Sequence, residues 1–366
     1  MRSHPHAPLW RCVASLGVSA VVAAAVLANG GVARAATRAT SGASLSGAGS
    51  TFDQPFFARA FYQYSGQNPG TTITYSAIGS SGGIQQLQNQ TVNFGATDVP
   101  MSASDLAAAS GGPVLQIPVA LGGEAIAYHV AGIGSGLRLS GSVLAGIFLG
   151  NVTYWDSRLI TALNPHLHLP HLPITVVHRS DGSGTTYIFT NYLATVSAPW
   201  LAQLGVGKTI NWPVGVGGQG NQGVATLVQE IPGAIGYVEL DYALEAHFAF
   251  AKMRNASGYF VAPSIRSVAA DAAMKPHVTA QNFSIVNERG ANSYPIAGYS
   301  WIVAYARQPN LGTGGALATM LNWLTHTGQR NAAALDYVPL PANIERLAAV
   351  TIAKMTGPSG QRLLGA

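Results

Sequence analysis

The sequence predicts an α/β fold for this chain of 366 residues. Three observations carry that expectation. Short β-rich runs alternate with helical patterns along the length, the signature of strands and helices in alternation. Three of the junctions share one grammar: a strand, a turn of small residues, then a helix. The composition, 48% hydrophobic with only 9% charged residues, supplies enough apolar surface for a sizeable core and rules out a disordered chain.

The first junction is LSGAGSTFDQPFFARAFYQYSG (45–66). Phe52, Phe56, Phe57, Ala60, Phe61 and Tyr64 recur at helical spacing. Thr51 or Asp53 is placed to cap the helix, and Pro55 suits its first turn. The second is TITYSAIGSSGGIQQLQNQ (72–90), where a strand runs to Ile78 and Gly79–Gly83 turn the chain into a short helix bearing Ile84 and Leu87. The third is ITVVHRSDGSGTTYIF (174–189). Ile188, Phe189, Tyr192, Leu193 and Val196 mark the buried face of a helix that starts near Ser183. Further on, GGQGNQGVATLVQEIPGAIGYVEL (217–240) predicts a glycine loop, a helix, a Pro-Gly break and a strand. YPIAGYSWIVAYA (294–306) predicts a late strand, and LATMLNWLTHTG (317–328) and ANIERLAAVTIAKM (342–355) predict helices.

The N-terminus has the layout of a secretory leader. Arg2 and Arg11 precede the apolar VASLGVSAVVAAAVLA (13–28), and Ala33-Arg34-Ala35 offers a small-residue cleavage site. The apolar run is short for a membrane span, so residues 1–35 are expected to be cleaved near Ala35, placing the product outside the cytoplasmic membrane. Of the chain's 19 basic residues, Arg2, Arg11 and Arg34 leave with the leader; 16 then face 14 acidic ones, a net charge near +2. No basic run or basic–aromatic alternation remains, which argues against nucleic acid as a partner. The single cysteine, Cys12, lies in the leader, so neither a disulfide nor a thiolate-bound metal is expected. The scarcity of charge is what an acidic milieu would favour, since ion pairs lose their value once carboxylates are protonated.

The three turns point to an anion. A helix N-terminus exposes unpaired N–H groups and carries about half a positive charge. Glycine permits close backbone approach, and serine and threonine add hydroxyl donors. Three such turns at one cleft, with the Arg179 fork beside them, would hold a dianion without lysine or metal. Asp98, closing NFGATD (93–98), adds selectivity. Locally it could be no more than a turn acid or a cap before Met101-Ser102. Facing the anion, it would repel any oxyanion lacking a proton, admitting hydrogen phosphate and rejecting sulfate.

Two other chemistries fit parts of the chain. Gly79-Ser80-Ser81-Gly82-Gly83 matches the G-x-S-x-G turn of serine hydrolases, which would make Ser81 a nucleophile in need of a histidine and an acid. His166, His168 and His171 in NPHLHLPHLP could ligate a metal or simply line a solvated loop.

Several ordered segments carry a family resemblance: GAGSTFDQP (47–55), GSSGG (79–83) with VNFGATDVPMS (92–102), IFLGNVTYWD (147–156), RSDGSGTTYIFTNYL (179–193), GGQGNQG…PGAIGYVE (217–239) and LDYVPLP (335–341). Together they resemble the extracytoplasmic phosphate-binding subunit of bacterial phosphate ABC transporters, over most of residues 45–345. The resemblance implies a two-lobe periplasmic-binding-protein (Venus-flytrap) fold with two hinge crossings and mixed sheets flanked by helices. One lobe would take 44–124 plus 292–350, the other 125–291. It implies a monomeric carrier, not an enzyme, that hands inorganic phosphate to an ABC permease with its ATPase subunits and uses no cofactor. Thr51, Phe52 (through its N–H), Ser80, Ser183, Gly184 and Thr185 would donate to the anion. Asp98 would accept its proton, Arg179 would pair with it, and Asp181 would orient the arginine. Ser50 stands where relatives often have alanine, and His178 where an arginine can occur. Arsenate, another protonated oxyanion, would pass the same Asp98 filter.

Overall fold

The computed structural model describes residues 42–364; the expected leader and cleavage site lie outside them. Twelve strands are present among these residues. In chain order they are β1 (Ala43–Gly49), β2 (Thr71–Ala77), β3 (Phe94–Thr97), β4 (Val114–Tyr128), β5 (Arg138–Leu139) and β6 (Thr175–Arg179), followed by β7 (Val216–Gly218), β8 (Ala234–Glu239), β9 (Ala249–Phe250), β10 (Lys252–Arg254), β11 (Phe260–Val261) and β12 (Ala297–Tyr305). The main sheet runs β2-β1-β3-β12-β4-β8-β6-β7, with β9 added beside β4.

β4 organises the fold. Its 15 residues span about 50 Å at ~3.3 Å per residue. Its first part pairs antiparallel with β12, from Val114↔Tyr305 to Gly123↔Ala297. Its last part pairs antiparallel with β8, from Glu124↔Glu239 to Tyr128↔Ile235. The strand therefore changes partner at Gly123-Glu124 and belongs to two lobes in turn. The chain returns at Ile296-Ala297, where Ile296 O accepts from Glu124 N at 2.8 Å. The two crossings lie side by side, and the fold is the two-lobe α/β architecture that the resemblance implied.

Each lobe has its own core. In the first, the helix Gln54–Gln67 buries Phe56, Phe57, Ala60, Phe61 and Tyr64. These pack with Phe52, Phe94 and Tyr337 in one apolar cluster. In the second, the helix Gly184–Val196 buries Ile188, Phe189, Tyr192 and Leu193 against Tyr237 of β8, and Phe189 stacks on Tyr237 at 4.2 Å. The helices expected within 217–240, 317–328 and 342–355 are present as Gly220–Glu230, Leu311–Leu324 and Ala342–Ile352, the second beginning six residues earlier than expected, and the late strand expected at 294–306 is β12.

Three local expectations change. The helix Ser80–Gln88 begins inside the Gly79–Gly83 turn, so Ser80 is its first residue and Gly79, at φ 88°, its cap. The helix Gln54–Gln67 receives no side-chain cap: Asp53 turns into the protein and Thr51 bonds elsewhere. Asp98 caps nothing either, because Ser102 and Asp105 form a complete capping box on the helix Ala103–Ala107. No described helix is long and apolar enough to cross a membrane.

Candidate functional site

Every residue singled out for the anion lies where the two lobes meet. The first lobe brings the loop after β1 (Ser50, Thr51, Phe52), the start of the helix at Ser80, and Asp98 just after β3. The second brings Arg179 from the end of β6 and the start of the helix Gly184–Val196. Thr51, Phe52, Ser80, Asp98, Arg179, Ser183 and Thr185 are all buried.

The lobes touch through these groups. Gly184 N donates to Ser80 Oγ at 3.0 Å, and Asp98 N to the same oxygen at 3.3 Å. Ser81 N donates to Gly182 O at 2.9 Å. Thr51 Oγ1 accepts from Asn221 N at 3.1 Å and from Asn221 Nδ2 at 3.0 Å. Tyr242 OH donates to Thr51 O at 2.8 Å. The helix Gly220–Glu230 thus adds a fourth N-terminus to the three expected ones.

Arg179 is held as a fork. Its Nε and Nη2 donate to Asp181 Oδ1 and Oδ2 at 2.7 and 2.5 Å, and its Nη1 to Thr185 Oγ1 at 3.2 Å. Asp181 Oδ1 also accepts from Gly220 N at 3.1 Å. Asp181 fixes the arginine in its plane and ties it to the next helix start. Ser183 Oγ accepts from Thr186 N at 3.0 Å as the cap of its helix, which leaves its hydroxyl hydrogen free to donate.

Asp98 is oriented by hydroxyls. Its Oδ1 accepts from Ser50 Oγ at 2.5 Å and from Ser300 Oγ at 2.8 Å. Its Oδ2 lies against Gly184, where an added Cβ would come within 2.5 Å of it. Burial raises the Asp98 pKa to about 6, while Ser50, Ser300, Arg179 and Ser80 pull it down. Burial likewise pushes Asp53, Glu124 and Glu239 well above the ordinary carboxyl range. Burial thus disfavours the charged form of those three acids, and the charged groups that bond one another directly at the lobe junction are Arg179 and Asp181.

A model described as a PBP superfamily domain matches residues 34–327. The phosphate-binding protein PstS of Xylella fastidiosa is 41% identical over 308 residues, 83% of this chain and 84% of that one. The chain belongs to the PstS family of the PBP superfamily. The PstS of Methanocaldococcus jannaschii is 34% identical over 328 residues, 82% of this chain and 83% of its own. Among solved structures, a high-affinity periplasmic phosphate-binding protein, PfluDING, bound with phosphate, superposes with a TM-score of 0.67 at 22% identity. That match covers 84% of this chain and 93% of PfluDING. A phosphate-binding protein from Stenotrophomonas maltophilia gives 0.67 at 19% identity, covering 88% and 99%. At such identities these two establish the fold.

Within this PstS-family chain the other sequence candidates separate from the site. Ser81 makes its lobe contact through its backbone, and among the described residues no hydrogen bond joins it to a histidine, so the hydrolase reading has no support. His166, His168 and His171 are exposed. His171 stacks on Tyr154 and bonds Asp156 at 2.9 Å, and the described residues hold no cluster of three or more metal-ligating side chains. His178 stacks on Trp212 at 4.8 Å, and burial lowers its pKa, so it adds no charge beside Arg179 at neutral pH.

Four residues of the site escaped sequence reasoning: Asn221, Tyr242, Ser300 and the inward-turned Asp53. Asn221 had one signal, its place just after a glycine loop that opens a helix. The other three are set by packing between segments distant in sequence.

Proposed function

We propose that this chain is an extracytoplasmic solute-binding protein that captures inorganic phosphate between its lobes and delivers it to a membrane ABC permease with its ATPase subunits. The observation that carries the reading is the opposition of Asp98 and Arg179 across converging helix starts. A fixed guanidinium fork supplies attraction, and a carboxylate oxygen beside Gly184 demands a proton from the ligand. The PstS relatives and the phosphate-bound structural neighbours support the same ligand.

In this reading the first lobe is 44–124 plus 292–350 and the second 125–291, hinged where β4 and the strand leading into β12 run together. Closure brings Thr51, Phe52, Ser80, Ser183, Gly184 and Thr185 around the anion as donors. The bonds now joining Ser80 to Gly184 and Thr51 to Asn221 exchange for bonds to phosphate oxygens. Asp98 accepts the proton of hydrogen phosphate and leaves sulfate with an unmet acceptor. The protein acts as a monomer, without cofactor and without catalysis, after cleavage of its leader near Ala35.

Equilibrium dialysis of the leaderless protein against radiolabelled phosphate tests the reading. One phosphate retained per chain is expected; a folded protein that retains none overturns it.

A further inference from the structure

Behind Asp98 lies a second aspartate. Asp53 is fully buried, and its Oδ1 has no hydrogen-bond partner. Its Oδ2 lies 2.5 Å from Ser300 Oγ, and that hydroxyl is also 2.8 Å from Asp98 Oδ1. The strand carrying Ser300 shifts register against β4 directly after it, an irregularity of the kind that re-aims side chains beside functional sites.

A hydroxyl has one hydrogen. Ser300 can donate to one of the two carboxyls only. With both acids ionised, its lone pairs would face the other carboxylate at hydrogen-bond distance. Ser50 cannot supply the missing hydrogen: its Oγ accepts from Phe52 N at 3.0 Å and spends its own on Asp98. The count balances with one added proton. Arg179 favours the ionised form of Asp98, and Asp53 has no cation beside it.

We propose that Asp53 is a protonated carboxylic acid that donates through Ser300 to Asp98, and is the positioning residue that keeps Asp98 an ionised acceptor turned toward the anion. The order is Asp53 Oδ2–H to Ser300 Oγ, then Ser300 O–H to Asp98 Oδ1, leaving Asp98 Oδ2 for the ligand's proton. The titratable groups that face Asp53 are Asp98 and the phenols of Tyr75, Tyr242 and Tyr337. Asp98 in turn faces Arg179 and Glu124. The consequence for selectivity rests on the phosphate reading; the protonation of Asp53 does not.

Once Asp53 loses its proton at alkaline pH, Ser300 lies between two anions and Asp98 is pushed from its place. Asp53→Asn keeps an N–H donor toward Ser300 and cannot ionise. The test pairs carbon-13 NMR of protein labelled at the aspartate carboxyls with phosphate titrations across pH. At about pH 8, two aspartates are expected to remain protonated, Asp53 and Asp271, the latter because burial raises it to about 9. One of these signals vanishes in Asp53→Asn and the other in Asp271→Asn. The phosphate affinity of Asp53→Asn should persist further into the alkaline range than that of the parent.

A single protonated aspartate, assigned to Asp271, overturns the proposal even if Asp53→Asn fails to fold. So does an affinity gain of about tenfold or more in Asp53→Asn at neutral pH, the mark of a removed negative charge. A protonated Asp53 in a protein that ignores phosphate would retain the hydrogen-bond relay and reject the phosphate reading instead.

Discussion

Gly184 and Ser80 meet across the lobe junction, the amide of one helix start donating to the hydroxyl of another at 3.0 Å. This contact leaves no room for a side chain. A Cβ on Gly184 would stand 2.5 Å from Asp98 Oδ2 and 2.7 Å from Asp98 N. Gly184→Ala is therefore expected to hold the lobes apart while each lobe keeps its core. Phosphate affinity should fall by about a hundredfold or more, since ~3 kcal/mol of closure contacts is forfeited. Circular dichroism should be unchanged, and small-angle scattering in excess phosphate should show a more open particle than the parent. Parental affinity would mean that closure does not need this approach.

Lys208 and Asp105 form a latch over the same junction, with Nζ and Oδ2 at 3.2 Å and both side chains mostly covered. Lys208→Gln removes it and leaves the Ser102–Asp105 capping box intact. An ion pair so near solvent is worth about 1 kcal/mol at most. Stopped-flow measurement should find phosphate leaving up to about fivefold faster in the variant, with the difference shrinking as salt is added. Identical release rates at low salt would show that the pair does not restrain opening.

Salt should act on affinity only modestly. In the proposed complex a dianion facing Asp98 would be held by one arginine, already shared with Asp181, and by dipoles and hydrogen bonds inside a buried site. Phosphate titrations at low and high neutral salt should differ by less than about tenfold. A steep, many-decade loss would point to a site built on exposed charge.

The buried acids set an unusual pH profile. Asp53, Glu124 and Glu239 are pushed well up by burial, Asp98 to about 6, and Asp271 to about 9. Each holds a proton more tightly folded than unfolded, so stability falls as pH rises from the ordinary carboxyl value through the folded one. Two groups act the other way. Asp105 resists burial through Ser102 and Lys208 and ends below its ordinary value, so its contribution is lost on acidification. His178, lowered by burial, costs stability once its unfolded form gains a proton. The raised acids outnumber these, and the thermal midpoint should be higher near about pH 5 than near about pH 8. A sharp loss of stability below neutral would contradict this and remove the link between low surface charge and an acidic milieu.

The fold was legible because its elements are local. The helical recurrence of Phe56, Phe57, Ala60, Phe61 and Tyr64 is written in one segment, and so is each glycine-serine turn before a helix. The candidate residues at the lobe junction were legible for the same reason: Asp98, Arg179, Ser183 and Gly184 each sit in a short recognisable run. The support behind them was not. Ser300 reaches Asp98 from 202 positions away and Asp53 from 247, and Asn221 reaches Thr51 from 170. A local rule even misplaced Asp53, because an aspartate before a helix usually caps it. Here the buried hydroxyl of Ser300 holds the Asp53 carboxyl instead, and the helix start goes without a side-chain cap.

The most direct test is calorimetric titration of ligand-stripped protein with phosphate and then sulfate, beside the same titrations of Asp98→Asn. The account predicts tight phosphate binding and no measurable sulfate binding by the parent. In Asp98→Asn the gap should narrow by about a hundredfold or more, because the amide can donate to an unprotonated oxygen. Equal binding of both anions by the parent, or an Asp98→Asn variant that still excludes sulfate, would contradict the claim that Asp98 reads the proton.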